Sequence, residues 1–212
     1  HGQGPRPAGL LNLNSLVEGA VASLPAHLTV LAGHSLGAIV TLGVALRHPG
    51  LADALVLEEP PGTAGVDTDF IANGIAAEAK AVRVDRASYW QRIRNDNPKW
   101  DDADVERAVA SMEAVDVPAV VGGLQGDLSW DLPELLGQVD IPVLVIAAPP
   151  ARGQFPLTGN TALRGRDREA VRRLVPEDGF VVLEGGHSLH RDEPERVAQL
   201  IVGLALSATS QP

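Results

Sequence analysis

Residues 29–37 have the sequence Thr-Val-Leu-Ala-Gly-His-Ser-Leu-Gly, an apolar run that ends in Gly33-His34-Ser35-Leu36-Gly37. The glycines of this pattern allow a strand to reverse sharply into a helix, which leaves Ser35 exposed at the carboxyl edge of a sheet. A mostly apolar segment follows without a break until His48-Pro49-Gly50, as expected of a helix that starts at the turn. We therefore interpret Ser35 as a candidate nucleophile, with an ordinary turn serine as the alternative.

The composition limits the class of partner. A chain of 212 residues suits one domain with a full core and room for an inserted subdomain. The 17 Lys and Arg against 27 Asp and Glu give a net charge of −10, which argues against nucleic acid or an anionic membrane as a partner. Apolar stretches are strand-sized or interrupted by charges, so no transmembrane helix is expected. The absence of cysteine excludes disulfides and Cys-based metal sites.

The start of the chain, His1-Gly2-Gln3-Gly4-Pro5, has no basic segment followed by an apolar one. We therefore expect no signal peptide and a cytoplasmic location. The only methionine is Met112, so we expect the sequence to be processed, tagged or cut from a longer chain. No pattern in the sequence indicates an oligomeric state.

Short apolar runs rich in β-branched residues predict the strands Leu28–Leu31, Ala54–Leu57, Ile141–Ile146 and Phe180–Leu183. These runs are continuous rather than alternating, which is typical of a parallel sheet covered on both faces. Helical patterns separate them, and the first helix is expected to be capped by Asn14 or Ser15. The alternation predicts an α/β fold with a mostly parallel sheet, helices on both faces and right-handed crossovers.

Residues 62–138 break this alternation, because they contain helical patterns but no convincing strand. The candidate helices are Asp69–Val82, Ala87–Arg94 and Asp102–Ala114, the last capped by Asp101 or Asp102. We predict a helical cap inserted between two parts of an α/β core, residues 1–61 and 139–212. An ordinary long crossover is the alternative, although crossovers rarely need so many residues.

The few aromatic residues concentrate in the same segment, and Trp90, Trp100 and Trp130 are among them. These side chains could line a substrate pocket over Ser35, or they could pack within the cap. The sequence favours neither interpretation.

A histidine follows the last predicted strand in Gly185-Gly186-His187. A serine nucleophile needs a base within hydrogen-bond reach, and the loops after parallel strands gather at the same sheet edge. We predict that His187 is this base, whereas His190 is expected to face solvent or the following helix. His34 is interpreted only as the variable residue of the turn. No pair of histidines has helical metal-ligand spacing with a carboxylate, so we expect no metal and no other cofactor.

Together these motifs resemble the α/β-hydrolase superfamily, specifically its capped, lipase-like or esterase-like branch. The matching segments are residues 33–37, Leu57-Glu58-Glu59-Pro60-Pro61, Val139-Asp140-Ile141-Pro142-Val143-Leu144 and Gly186-His187-Ser188. They cover essentially all of the chain outside the predicted cap. The resemblance implies Ser35 as nucleophile, His187 as general base and the backbone N–H of Leu36 as one oxyanion donor.

The acid of the site departs from the pattern of most of the superfamily. Most members have an Asp after the strand that corresponds to Ile141–Ile146, but here residues 147–153 are Ala-Ala-Pro-Pro-Ala-Arg-Gly. Relatives such as haloalkane dehalogenases place the acid after the strand that follows the nucleophile helix, where this chain has Glu58 and Glu59. We predict Glu59 as the acid, with Glu58 second because neighbouring strand residues point to opposite faces. Two glutamates that only line the cap entrance, or a Ser–His pair without an acid, are the alternatives.

The N-terminal segment is the second departure. His1-Gly2 could be the oxyanion-loop His-Gly of the superfamily, but too few residues separate it from Gly33 to hold a helix, a strand and a second helix. The segment better resembles the later Gly-His-Gly-x-Ser turn. We therefore expect an N-terminally truncated sheet, in which the strand before Ser35 is an edge.

The resemblance implies a serine hydrolase that cleaves a small carboxylic ester or related acyl substrate through an acyl-enzyme. Epoxide hydrolases and dehalogenases are disfavoured, because those relatives use Asp where this chain has Ser35. The alternative function is that of a catalytically degenerate member or fragment, which binds a small apolar ligand.

Overall fold

The computed structural model describes residues 11–62, 68–126, 128–150 and 161–209. Within these ranges four strands form one parallel sheet in chain order, β1 (Leu28–His34), β2 (Ala52–Glu58), β3 (Val143–Ala147) and β4 (Phe180–Val182). The four predicted strands and their parallel arrangement are thus confirmed. Among the described residues, β1 pairs with β2 alone and is an edge of the sheet.

Ten α-helices accompany the sheet in the described part of the chain. They are α1 (Leu13–Val21), α2 (Leu36–Arg47), α3 (Thr68–Val84), α4 (Arg86–Asp96), α5 (Asp102–Glu113), α6 (Val117–Leu124), α7 (Leu132–Leu136), α8 (Gly165–Leu174), α9 (Leu189–Asp192) and α10 (Pro194–Thr209).

Both faces of the sheet are covered, and β2 shows how. Leu55 and Leu57 pack on one face in a buried cluster with residues of α2, α7 and α8. Val56 points to the other face, where it packs with Leu189 of α9 and residues of α10. The four consecutive apolar residues Ala54–Leu57 therefore cover both faces of β2, which is why this part of the strand lacks alternation.

The N-cap of the first helix lies two residues earlier than the nearer of the two predicted caps. Asn12, not Asn14 or Ser15, is the N-cap: its side chain accepts a 2.9 Å hydrogen bond from the Ser15 amide. The Ser15 hydroxyl in turn accepts from the Asn12 amide, which completes a capping box. For α5 the first of the two predicted caps is observed, because Asp101 accepts from the amide of Asp104.

Helices α3–α7 lie between β2 and β3 in the chain. Helices α3–α6 pack against one another, and α3, α4 and α5 correspond to the three predicted helices. Helix α7 packs instead with α2 and α8, where Leu132 and Leu136 join the core cluster. No helix in the described ranges is both long and apolar enough to cross a membrane.

The strand register determines which residues meet at the carboxyl edge of the sheet. His34 pairs with Glu58, and Glu58 pairs with Ile146 on the opposite side. The residues that follow these positions, Ser35 and Glu59, therefore leave the sheet at the same level.

Candidate active site

Ser35 occupies a strained turn between β1 and α2. Its φ is 54° and its ψ is −128°, values that residues other than glycine rarely adopt. The Ser35 amide donates a 2.9 Å hydrogen bond to the Glu58 carbonyl, which ties the turn to β2. A Cβ atom at Gly33 would overlap the Gly37 carbonyl oxygen and the Thr41 hydroxyl, so the close approach of β1 and α2 requires glycine there. This geometry is that of a nucleophile elbow.

His187 lies beside the elbow, in the segment that follows β4. Its Nε2 atom is 2.9 Å from the Ser35 hydroxyl oxygen, a distance at which the hydroxyl donates to the ring nitrogen. The chain stays bonded to the sheet just beyond β4, because the Leu183 amide donates to the Ala147 carbonyl of β3. The segment that carries His187 starts from this point. The structure thus brings Ser35 and His187 together.

Glu59 is the carboxylate behind His187. It follows β2 with a φ of 48°, and its amide donates to the Ile146 carbonyl. Its side chain is fully buried, with Oε2 lying 3.4 Å from His187 Nδ1. Neutral donors surround the carboxylate: the amides of Ala148 and Ala162 and the hydroxyl of Thr161. These hydrogen bonds offset the cost of burying a charge and fix the carboxylate in place.

Glu58 points away from Glu59 and pairs with a different histidine. It accepts hydrogen bonds from the His190 amide at 3.0 Å and from His190 Nδ1 at 2.9 Å. Burial alone would raise the pKa of Glu58, but the hydrogen bonds from His190 and the charges of His34 and His190 outweigh burial and lower that pKa. The His190 side chain is 37% exposed, in keeping with the expected solvent contact, and its ring also binds Glu58, which was not predicted from the sequence.

His34 also contacts the His187 segment. Its Nε2 atom donates a 2.7 Å hydrogen bond to the main-chain carbonyl of His187. Burial, and after it the charge of His187, lowers the pKa of His34 to about 4. Sequence reasoning treated His34 as a variable turn residue. Its position next to Ser35 was the available signal, because a residue at the end of a parallel strand faces the loops of the neighbouring strands.

His34, Glu58 and His190 form the one group of possible metal ligands found among the described residues. The types of donor suit a transition metal. However, His34 Nε2 is bound to the His187 carbonyl, and His190 Nδ1 is bound to Glu58. These contacts make the group a hydrogen-bonded network, in which a metal would have to displace existing partners.

The remaining predicted site residues lie in different parts of the structure. Leu36 is the first residue of α2, where a helix has amides without an intrahelical partner, so its N–H is suited to an oxyanion. Trp90 and Trp100 pack in the apolar cluster of α3–α5, and the Trp100 indole donates to Asp192 at 2.9 Å. The Trp130 indole donates to the Pro61 carbonyl at 2.7 Å. His1-Gly2 and residues 151–153 of the loop after β3 lie outside the described residues.

A pocket of about 310 Å³ lies next to His187. The loop between α4 and α5 lines one side with Asn97, Lys99 and Trp100, and Gly186 and Asp192 contribute to the other side. The helices inserted between β2 and β3 therefore reach the histidine of the site.

Comparison with known proteins agrees with this arrangement. Residues 1–200 match the sequence profile described as the alpha/beta hydrolase family, and the chain belongs to that family. This membership confirms the predicted fold class and superfamily. Among curated proteins, none matches the chain.

Solved structures with a similar fold share little sequence with the chain. An E-2-(acetamidomethylene)succinate hydrolase has 19% identity and a TM-score of 0.68, over 96% of this chain and 77% of the other. An esterase from Exiguobacterium antarcticum has 16% identity and a TM-score of 0.66, over 97% and 78%. A thermophilic esterase from Thermogutta terrifontis has 19% identity and a TM-score of 0.62, over 96% and 75%. At these identities the likeness establishes the fold.

Proposed function

We propose that this chain is a serine hydrolase of small carboxylic esters or related acyl compounds, with Ser35 as nucleophile. The 2.9 Å contact between Ser35 Oγ and His187 Nε2, in front of the buried Glu59 carboxylate, carries this proposal. A serine, an imidazole and a buried carboxylate in this order are the parts of an activated nucleophile. The esterases and the hydrolase among the structural neighbours support the same class of substrate.

The geometry supports a reaction in two halves. Ser35 Oγ attacks the acyl carbon while His187 Nε2 takes the hydroxyl proton, and the Leu36 amide donates to the developing oxyanion. His187 then gives its proton to the leaving oxygen, which departs as an alcohol and leaves an acyl-serine. Water, deprotonated by His187, attacks this ester, and collapse of the second tetrahedral intermediate releases the carboxylic acid and restores Ser35.

Glu59 supports this cycle without exchanging a proton. Its negative charge stabilises the imidazolium that forms on His187, and its Oε2 atom orients the Nδ1–H, so that Nε2 faces Ser35. The three neutral donors on the carboxylate prevent it from turning away. An acid placed after β2 thus replaces the Asp that the loop after β3 lacks in residues 147–153.

We further assign the cap role to α3–α6. These helices pack on one another, and the loop between α4 and α5 lines the pocket beside His187. Trp90 then stabilises the cap through packing, whereas Trp100 both packs in the cap and lines the pocket. Trp130 is suited to the entrance of the site, because its indole is bound to the segment just after Glu59.

The test is hydrolysis of p-nitrophenyl acetate, p-nitrophenyl butyrate and a short acyl thioester. We expect turnover by the wild type and a loss of at least about 1000-fold in kcat for Ser35→Ala. Ser23→Ala is the matched control, because Ser23 is exposed and, among the described residues, its hydroxyl bonds only to the Gly19 carbonyl of α1. Equal rates for the wild type and Ser35→Ala would contradict the proposal. No turnover of any of the three substrates would favour the degenerate, ligand-binding alternative.

A further inference from the structure

Three residues behind His187 form a second set of imidazole and carboxylate groups. His34, Glu58 and His190 touch one another or the His187 segment, yet none of them takes part in the proposed reaction. The ring of His34 lies 4.6 Å from the ring of His187 and 5.0 Å from that of His190, measured between centroids. Glu58 is buried and the two histidines are partly buried, so the desolvation of this set costs free energy and calls for a reason.

The hydrogen bonds of this set reach the main chain of residues 187–190, the His187 loop. His34 Nε2–H binds the carbonyl of His187 at 2.7 Å. The Glu58 carboxylate accepts a hydrogen bond from the His190 amide at 3.0 Å and a second one from Nδ1 of the His190 ring. The loop is therefore held at both of its ends by side chains that come from the sheet.

Two of these side chains are next in sequence to residues of the proposed catalytic site. His34 immediately precedes Ser35 at the end of β1, and Glu58 immediately precedes Glu59 at the end of β2. Consecutive strand residues point to opposite faces. Each strand end thus supplies one residue to the reacting side of His187 and one to the side that holds its main chain.

The charge state of His34 suits this task. The surrounding titratable groups are His187, His190 and Glu58, and burial together with His187 lowers the pKa of His34 to about 4. The ring is therefore neutral near pH 7, and its proton resides on Nε2 because a carbonyl can only accept. A neutral ring adds no positive charge beside the imidazolium that forms on His187.

We propose that His34, together with the Glu58–His190 pair, is a positioning residue that holds the His187 loop in register with Ser35. This inference rests on the proposed function. His34 acts through the carbonyl of His187 and touches neither substrate nor the reacting atoms. Because a misplacement of about 1 Å can cost roughly 100-fold in rate, a bond of this kind affects turnover without altering substrate binding.

The first test compares His34→Leu with His34→Gln in p-nitrophenyl butyrate hydrolysis. Leu fills a similar space without a donor, whereas the amide nitrogen of Gln lies close to the position of Nε2. We expect kcat to fall by about 10- to 100-fold in His34→Leu, with KM within about twofold of the wild type. His34→Gln should restore most of the loss. His27→Leu is the control and should keep the wild-type kcat, because His27 precedes β1 at the far end of the sheet and is exposed.

A second measurement is independent of turnover. Two-bond nitrogen–proton NMR spectra of histidine-labelled protein should show His34 as the neutral Nε2–H tautomer from about pH 5.5 to pH 8. An Nδ1–H tautomer would overturn the inference, as would an unchanged kcat in His34→Leu. A fall in kcat/KM caused by a raised KM, or one matched by an equal fall in His34→Gln, would also overturn it. A wild type without activity would refute the proposed function, and the tautomer would still test the hydrogen bond.

Discussion

At the scale of single residues, two adjacent glutamates contact different histidines because their side chains point to opposite faces of the sheet. Glu59 faces His187 and Glu58 faces His190. The strand alternation predicts this division from the sequence. From the sequence, Glu59 ranks before Glu58 as the acid, although either could orient a histidine. The structure places Glu59 behind His187, and the catalytic role of Glu59 stays a proposal.

Glu59→Gln and Glu58→Gln separate these roles. Gln at position 59 can present its NH₂ group to His187 and stabilise the wrong tautomer, so we expect kcat to fall by about 100- to 10,000-fold. Gln at position 58 keeps an oxygen acceptor for the His190 amide, so the fall should stay below about 10-fold. Steady-state hydrolysis of p-nitrophenyl butyrate measures both. A larger loss in Glu58→Gln than in Glu59→Gln would contradict the assignment of the acid.

At the scale of secondary-structure elements, the strands could be predicted well and the short helices could not. Each strand is a continuous apolar run, and burial on both faces makes such runs conspicuous. Helices α6 and α7 have eight and five residues, so each is too short for a helical period to emerge. The N-cap of α1 was missed because Asn12 and Asn14 have the same side chain. Asn12 is the cap because its side chain and that of Ser15 each accept a hydrogen bond from the other residue's amide.

The junction of β1 and α2 predicts a strong effect of Gly33→Ala. The new Cβ would overlap the Gly37 carbonyl, which belongs to a helix backbone and has little freedom to move. We expect the free energy of unfolding to fall by about 3 kcal/mol in urea titrations. Gly19→Ala in α1 is the control, because its Cβ meets no described atom, and it should raise that free energy by about 0.5–1 kcal/mol. Equal effects of the two substitutions would contradict the close packing at the elbow.

The contact between the α4–α5 loop and the segment from Gly186 to Asp192 supplies another prediction. Asp192 accepts from the Trp100 indole at 2.9 Å and from the Gly186 amide at 2.7 Å, so one carboxylate joins both parts. In Trp100→Phe the lost donor should lower the free energy of unfolding by about 1–3 kcal/mol. Trp90→Phe keeps Trp100 and Asp192 bonded, so urea titration should show a smaller loss for it. A larger loss in Trp90→Phe would contradict this link.

At the scale of the whole molecule, the residues at the centre of the candidate site could be selected from the sequence, but the contacts that hold them in place could not. The motif around Ser35, the glycines before His187 and the glutamates at the end of β2 each mark a strand end, and parallel strand ends converge. The roles of His34, His190 and Asp192 depend on the register of β1 against β2 and on the path of the His187 loop. Such contacts between distant segments have no local sequence signal.

The buried His34 ring also makes the stability of the molecule depend on pH. Its pKa is lowered from 6.5 to about 4 in the folded state, so the unfolded chain binds more protons between these values. Stability is therefore highest above pH 6.5 and falls by up to about 3 kcal/mol towards pH 4 on account of this group. Urea titrations of His34→Gln should show a shallower dependence in this range, and Ser23→Ala should match the wild type. Parallel curves for His34→Gln and the wild type would contradict a buried, neutral His34.

The central claim is that Ser35 is a nucleophile activated by His187, and one measurement addresses it directly. The protein is treated with a fluorophosphonate, which reacts with activated serines, and the adduct is located by mass spectrometry of proteolytic peptides. We expect one adduct per chain, on the peptide that contains Ser35, and a strongly reduced rate of labelling in His187→Gln. An unlabelled wild-type protein, or an adduct on another serine that persists in Ser35→Ala, would contradict the account.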